Sequence, residues 1–166
     1  MSAREPWPRF LARASAVLIL VLSAGAYLAG RFRIGVDDQV PSCLPYQWWL
    51  IDTHDRAVVQ GETYAFAALG MGPFFQDGQT VIKIAAGLPG DRVSVTRAAT
   101  RVNGRVVGEG LALCGTLQRE PEDFTREAIV PAGSLWMMGG TIQSFDSRYW
   151  GFLPQERLIG RVYALW

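Results

Sequence analysis

The sequence predicts a mostly β domain that follows one N-terminal transmembrane helix. Residues 14–30 form an uncharged, largely apolar run between arginines. The 166-residue chain also holds 18 glycines and 9 prolines, which favour short strands and turns over long helices. Asn103 and Gly104 lie between two short apolar runs, and an Asn-Gly pair in that setting predicts a β-hairpin with a type I′ turn.

The apolar run is close to the shortest helix that spans about 30 Å of hydrocarbon. Arg4, Arg9 and Arg13 precede it, which favours a cytoplasmic N-terminus. We therefore divide the chain into residues 1–33, a cytoplasmic N-terminus with a membrane anchor, and residues 34–166, an exported domain. A cleavable signal peptide is the alternative, because residues 24–26 have the small-x-small form of a cleavage site. Both interpretations export the rest of the chain.

The strands and turns beyond the anchor are predicted from the alternation of apolar and polar residues and from the positions of glycine, proline and other turn residues. Residues 34–39 are expected to form a linker, and residues 40–45 a turn stiffened by two prolines. Residues 115–128 are polar and predict one helical turn, and a Gly-rich loop carries Phe74 and Phe75, which we expect in the core rather than against lipid headgroups. The strands are predicted at residues 48–51, 63–69, 80–86, 92–96, 101–107 (a hairpin), 135–138 and 161–166.

Composition excludes some classes of function and leaves others open. Sixteen basic and fifteen acidic residues give almost no net charge, so the chain has no electrostatic footprint for nucleic acid. Cys43 and Cys114 suffice for one disulfide in an exported protein, and two buried thiols are the alternative. The sequence holds no CxxC motif and no Cys/His cluster, so we expect no metal and no cofactor.

Lys83 is the only lysine in the chain, and it lies inside an apolar run. In a strand it shares one face with Val81 and Ala85, while apolar residues fill the other face, so we expect the amine to be buried. Burial disfavours the charged form of an amine, and a neutral amine can act as a general base where arginine cannot. The single histidine, His54, lies in a polar run and is not expected to be catalytic. A strand lysine whose amine reaches solvent is the alternative for Lys83.

Four blocks of the sequence, IKIAAGLPGDRVSV, RVNGRVVGE, VPAGSLWMMGG and SFDSRYWGFLPQERLIGRV, resemble the type I signal peptidases. These are membrane-anchored Ser/Lys peptidases, and the resemblance covers roughly residues 36–166. It implies a signal-peptidase-like β fold, with Lys83 as general base and Ser42, in an SxxP turn, as nucleophile. It also implies that Ser144 orients the lysine amine and that Asp146 pairs with Arg148. A surface salt bridge is the alternative for this last pair.

The chain departs from the housekeeping pattern at several positions. Cys43 stands where methionine usually follows the nucleophile, and Val40 where a hydroxyl often helps to bind the oxyanion, so that task is left to backbone amides, chiefly that of Ser42. Residues 139–141 are Gly-Gly-Thr instead of Gly-Asp-Asn. These departures, the compact length and the Leu-Pro-Tyr after Cys43 resemble the TraF-type branch of conjugative transfer, which matures pilins and in some members cyclises them. A disulfide between Cys43 and Cys114 would join the serine turn to the loop before the last block.

The resemblance implies a serine endopeptidase of the bacterial inner membrane with its catalytic domain on the periplasmic side. Its partners would be membrane lipid and exported precursors, prepilins among them, with small side chains before the cut. One alternative is an inactive membrane-tethered β module that binds a partner in secretion or pilus assembly. Another is a secreted β protein released by cleavage after Ala26.

Overall fold

The computed structural model describes residues 6–36 and 42–165. The prediction of a mostly β fold with one apolar N-terminal helix is confirmed: helix α1 (Trp7–Arg31) precedes eleven strands in the described residues. The strands are β1 (Phe32–Val36), β2 (Trp48–Asp52), β3 (Thr63–Ala67), β4 (Thr80–Gly87), β5 (Arg92–Val95), β6 (Ala99–Val102), β7 (Arg105–Glu109), β8 (Arg126–Ile129), β9 (Ser134–Met138), β10 (Leu153–Pro154) and β11 (Leu158–Ala164).

Two sheets contain all of these strands. The large sheet has the order β1-β2-β11-β3-β4-β9-β10, and the small sheet has the order β7-β6-β5-β8. Two short α-helices, α2 (Cys114–Leu117) and α3 (Ser147–Trp150), and two 3-10 turns lie between strands. The long strand β4 turns at its end into β5, so the chain passes from the large sheet to the small one immediately after the strand that carries Lys83.

The predicted hairpin forms β6 and β7, and its turn has the positive φ angles expected of an Asn-Gly pair, 50° at Asn103 and 81° at Gly104. The expected linker over residues 34–39 is wrong as far as Val36, because this segment is strand β1, paired antiparallel with β2. Residues 37–39 of that linker, Val40, Pro41 and the predicted strand end at Trp166 lie outside the described residues.

Helix α1 is apolar, with exposed side chains over nearly its whole length, and it meets the length and composition of a membrane span. Its 25 residues correspond to about 37 Å, which exceeds the hydrocarbon thickness. The helix passes directly into β1. Arg31 donates to the Asp52 carboxylate through Nε at 3.0 Å and Nη2 at 2.5 Å, and its carbonyl oxygen accepts from Thr53 N and Oγ1. The end of the helix is therefore bonded to the sheet.

Three apolar clusters form the core, and β4 contributes to all of them. Val81 and Ala85 enter the largest cluster, together with Phe66 and Leu135. The opposite face of β4 packs elsewhere: Ile82 and Ile84 contact a second cluster, and Ala86 belongs to a third, which lies between the two sheets. The prediction that both faces of this strand are covered is thus confirmed.

Candidate active site

Lys83 lies in the middle of β4, opposite Tyr64 of β3, and is 1% exposed. Its amine is 5.9 Å from the ring centroid of Phe75, a buried side chain on the loop between β3 and β4. The expected burial is confirmed, and the alternative of a solvent-reaching lysine is wrong. Phe74 on the same loop is 37% exposed, so the expectation of core burial holds fully only for Phe75.

Ser42 begins the described part of the chain after the undescribed residues 37–41. Its Oγ donates to the carbonyl oxygen of Leu44 at 2.5 Å and accepts from Leu44 N at 3.3 Å, which closes a small turn. Cys43 in this turn is buried, and its carbonyl oxygen accepts from Gly140 N at 2.9 Å. The serine turn is therefore bonded to the segment that follows β9.

Gly139 also lies in that segment and connects the two candidate catalytic residues. Strands β4 and β9 pair antiparallel, with Ile84 opposite Met138. The next pair of positions in this antiparallel register is Lys83, which precedes Ile84, and Gly139, which follows Met138. The lysine and the glycine therefore lie opposite each other just where the pairing of the two strands ends. The backbone of the segment after β9 thus runs from the lysine strand to the serine turn.

A side chain at residue 139 would have no room. A Cβ on Gly139 would lie 2.0 Å from Ser144 Oγ and 3.5 Å from Cys43 Cβ. Ser144 and Cys43 of the serine turn therefore both lie on the side of the Gly139 backbone where a Cβ would be. Lys83, the Ser42 turn and Ser144 are thus each next to Gly139 or Gly140, and the role of each in one site stays a prediction.

Ser144 is fully buried, and its Oγ has no hydrogen-bond partner among the described residues. A buried polar group without a partner costs about 1–3 kcal/mol of stability. Native structures contain few such groups, and those that occur call for an explanation, such as a catalytic role. This hydroxyl lies directly against the Gly139 backbone.

Asp146 and Arg148 form a buried ion pair, so the alternative of a surface salt bridge is wrong. Arg148 Nε and Nη2 each donate to one Asp146 oxygen at 2.8 Å, and both side chains are essentially inaccessible. The carboxylate also accepts from Gly139 N at 3.0 Å, which fixes the glycine. Burial alone would lower the pKa of the Arg148 guanidinium, but the hydrogen bond and charge of Asp146 raise it overall.

Arg148 uses its remaining donors on main-chain oxygens. Nη1 donates to the carbonyls of Glu109 and Gly110, and Nη2 donates to those of Thr141 and Ser144. The guanidinium thus joins the end of β7 to the segment that carries Ser144. This segment, residues 139–148, is held at both ends by the same ion pair.

Two neighbouring side chains have structural roles that the sequence reasoning missed, although both lie in the last matching block. Ser147 Oγ accepts from Met137 N at 2.8 Å and so fixes α3 against β9. Tyr149 OH accepts from Leu113 N at 3.1 Å, and burial raises the pKa of this phenol. No local pattern distinguishes these residues from ordinary helix residues, because their partners are distant in sequence.

The predicted disulfide between Cys43 and Cys114 is not formed, and both residues are buried thiols. The reason lies in their positions. Cys43 packs against Gly139, whereas Cys114 begins α2 in the largest core cluster, with Phe124 and Leu113. Burial raises the pKa of the Cys114 thiol, which disfavours its reactive thiolate form. His54 is exposed, as expected.

The fold and site define a β-sheet protein in which a buried lysine and a serine turn approach a common glycine backbone. The model of the family described as "Signal peptidase, peptidase S26" matches residues 7–166, and the chain belongs to this family of serine-type signal peptidases. The match spans α1 and both sheets.

Several known proteins are similar over part or all of the chain. Probable signal peptidase I-1 of Synechocystis sp. is 30% identical over 175 residues, covering 95% of this chain and 83% of that protein. Probable signal peptidase I-2 of the same organism is 35% identical over 84 residues, which is 50% of this chain and 36% of that protein. Signal peptidase I of Leptolyngbya laminosa is 33% identical over 90 residues, 53% of this chain and 42% of that protein. The chain thus spans between 36% and 83% of the length of these relatives.

Among solved structures, a signal peptidase I from Enterococcus faecalis V583 matches with a TM-score of 0.41 and 25% identity. The match covers 64% of this chain and 97% of that one.

Proposed function

We propose that this protein is a membrane-anchored serine endopeptidase that removes the signal or leader peptide of exported precursors, with Ser42 as nucleophile and Lys83 as general base. The observation that supports it most strongly is the burial of Lys83, 1% exposed, at the strand position next to Gly139, whose backbone lies against the Ser144 hydroxyl that has no partner among the described residues. A lysine kept for charge alone would reach water, since burying a charge without a counter-charge is costly. A buried amine is suited to accept a proton from a hydroxyl.

In the proposed reaction, the neutral amine of Lys83 takes the proton of Ser42 Oγ as this oxygen attacks the scissile carbonyl. The Ser42 Oγ must first leave its bond to the Leu44 carbonyl, which needs only a side-chain rotation. The backbone amide of Ser42 contributes to oxyanion stabilisation. The protonated lysine then gives its proton to the leaving amine, and water activated by the same lysine releases the acyl group.

Ser144 acts in this scheme as a positioning residue. Its hydroxyl can donate to the lysine amine and hold the nitrogen lone pair toward the serine turn. The Asp146–Arg148 pair keeps Ser144 in place because Arg148 donates to the Ser144 carbonyl at 3.2 Å and Asp146 accepts from Gly139 N. Loss of this support would misplace the amine, although neither charged residue touches the substrate.

Helix α1 is proposed to remain as the anchor, with the catalytic domain on the periplasmic side of the inner membrane. Arg31 donates to Tyr27 OH at 3.1 Å, and the Tyr27 ring makes an edge contact with His54 at 6.5 Å between centroids. The last turn of the helix is therefore part of the folded domain. These contacts are made by Tyr27 and Arg31, after the candidate cleavage site, and they fix the end of the helix on the sheet; retention is proposed from the length and composition of α1.

For the precursor we propose a pilin of a conjugative transfer system. The support is the Ser-Cys-Leu-Pro-Tyr sequence of residues 42–46 together with Gly140 in place of an acidic residue, which resembles the TraF-type branch. After leader removal, water releases the leader from Ser42. For cyclisation Ser42 must instead hold the acyl group of the pilin itself, after a cut near the pilin C-terminus, and the free pilin N-terminal amine then displaces the serine oxygen. Mass spectrometry of the product distinguishes a linear pilin from a cyclic one, because cyclisation removes one water.

The proposed function is tested by co-expressing a prepilin, or a precursor with a signal peptide, with the parent protein and with Ser42→Ala or Lys83→Ala. Ser94→Ala, a half-buried serine of the small sheet, is the matched control. We expect uncut precursor with the first two variants and full processing with the parent and the control, at equal amounts of protein in the membrane. Full processing by Ser42→Ala or Lys83→Ala would contradict the dyad and favour a module that only binds its partner.

A further inference from the structure

A groove of about 640 Å³ lies between the two sheets, on the face of β4 opposite Lys83. One wall is strand β7, and the other is formed by Ile84, Met138 and residues 139–142. We call this space the β7 groove. It is not used by the reaction proposed above, and its volume is sufficient for several residues of an extended peptide.

Among residues 6–36 and 42–165, strand β7 is an edge strand that pairs with β6 on one side only. An edge strand presents main-chain N–H and C=O groups that can pair with an added strand. At the end of β7 the carbonyl of Glu109 is already used by Arg148, so the preceding residues, 105–108, carry the groups that face the groove. Exposed apolar side chains line the groove: Val106 on β7 is 44% exposed, and Ile142, which lies beside Gly110, is 48% exposed.

The β7 groove reaches the segment after β9 that is bonded to the serine turn. Gly139 and Gly140 line it, and Gly140 N bonds the carbonyl oxygen of Cys43, the neighbour of Ser42. Arg148 joins the end of β7 to the same segment. A path from the serine turn to the groove therefore runs past these two glycines, around the end of the β4–β9 ladder.

We propose that the β7 groove binds the segment of the precursor that follows the cleaved bond, which pairs with β7 and places an apolar side chain against Val106. This inference rests on the proposed function. Helix α1 joins the large sheet at β1, and three strands separate β1 from β4. The groove thus lies on the side of the site away from the anchored edge, where the mature part of a precursor must extend while its leader stays near the membrane.

The test uses two peptides with the same leader and cleavage site, cut by the full-length protein in detergent micelles. The short peptide ends two residues after the bond, and the long one continues for ten residues with alternating apolar and polar side chains. We expect the parent to cleave the long peptide with kcat/KM about tenfold higher, since a few main-chain hydrogen bonds and one buried side chain are gained. Val106→Asp should abolish this advantage and leave the short peptide unaffected.

The control is Ile129→Asp. Ile129 is 62% exposed on β8, the opposite edge of the same sheet, so it tests an equivalent loss of an exposed apolar side chain outside the groove. The inference is overturned if the parent cleaves both peptides with equal kcat/KM. It is also overturned if Val106→Asp lowers kcat/KM equally for both peptides, or if Ile129→Asp removes the advantage of the long peptide as Val106→Asp does.

A binding measurement separates this inference from the proposed function. The ten-residue mature segment alone, labelled with a fluorophore, is titrated with Ser42→Ala and followed by anisotropy. Binding that Val106→Asp removes supports the groove even if the parent cuts neither peptide, in which case the proposed function fails alone. Absence of binding overturns the groove even if both peptides are cut.

Discussion

Replacing Asp146 by alanine should destabilise the whole domain, because it leaves the Arg148 guanidinium buried without its counter-charge. The change removes two hydrogen bonds of 2.8 Å from Arg148 and the acceptor of Gly139 N, all in a region from which solvent is excluded. Breaking a buried pair by removal of one partner costs about 3–5 kcal/mol. This is a large part of the roughly 5–15 kcal/mol by which a domain is stable.

The expected loss can be expressed as a melting temperature. In a domain of this size, 1 kcal/mol corresponds to about 2–4 °C, so the Tm of Asp146→Ala should fall by roughly 6–20 °C. The assay is thermal unfolding of the full-length protein in detergent micelles, followed by circular dichroism at about 230 nm, where aromatic side chains contribute.

Arg97 and Glu122 supply a matched control, because they form an ion pair with both side chains more than half exposed. Hydrogen bonding to Arg97 lowers the pKa of Glu122, but exposed pairs contribute little to stability. Glu122→Ala should therefore leave the Tm nearly unchanged. A fall in Tm for Asp146→Ala no larger than that for Glu122→Ala would refute the reasoning that burial, rather than pairing itself, sets the cost.

Three further predictions concern the site, the thiols and the end of the anchor helix. Ser144→Ala should lower the rate of precursor cleavage at least tenfold while the Tm stays constant or rises, since it removes a buried hydroxyl that has no partner. Reducing agent should leave the Tm unchanged, and Cys114 should react slowly with iodoacetamide at about pH 8, since burial raises the pKa of its thiol. Asp52→Asn should lower the urea midpoint of unfolding at about pH 5, and the difference from the parent should be smaller at about pH 3. The reason is that the hydrogen bond from Arg31 lowers the pKa of Asp52. The stabilisation by the carboxylate is therefore complete above about pH 4 and is lost as the pH falls through the lowered pKa.

Each of these has a result that contradicts it. A lower Tm for Ser144→Ala together with lower activity would indicate a structural role. A Tm that falls with reductant would indicate a disulfide, and rapid alkylation of Cys114 would place its thiol at the surface. An Asp52→Asn difference that stays constant between the two pH values would mean that the carboxylate does not act through its charge.

The alternation of apolar and polar residues, together with the turn residues, was sufficient to predict most of the strands. Strand β4 and the hairpin at Asn103 were predictable because both depend on local patterns. Strands β1 and β8 were not, since their short polar and glycine-containing sequences become strands only by pairing with β2 and β5. Helix α3 was missed because it is only four residues long. Asp146 caps it by accepting a hydrogen bond from Arg148 N, and the same carboxylate also forms the ion pair with the Arg148 side chain.

The candidate site was predictable to a different extent for each residue. The burial of Lys83 followed from its apolar neighbours on both faces of one strand, whereas Ser42 came from the family resemblance alone. The position of Gly139 beneath Ser144 could not be inferred, because it depends on how a loop crosses the end of a sheet. The disulfide was wrong because two cysteines in one sequence say nothing about the separation and direction of their Cβ atoms.

In the membrane-anchored protein proposed above, the bond between Arg31 and Asp52 would couple the tilt of α1 to the position of the large sheet. A flexible linker would absorb changes in helix tilt, but here the helix ends in a strand of that sheet. Four strand spacings of about 4.8 Å separate β1 from β4, so a change in tilt of about 10° would move β4 by roughly 3 Å relative to the lipid surface. In that proposed arrangement, bilayer thickness, which influences the tilt of a long helix, also influences the height of Lys83 above the membrane.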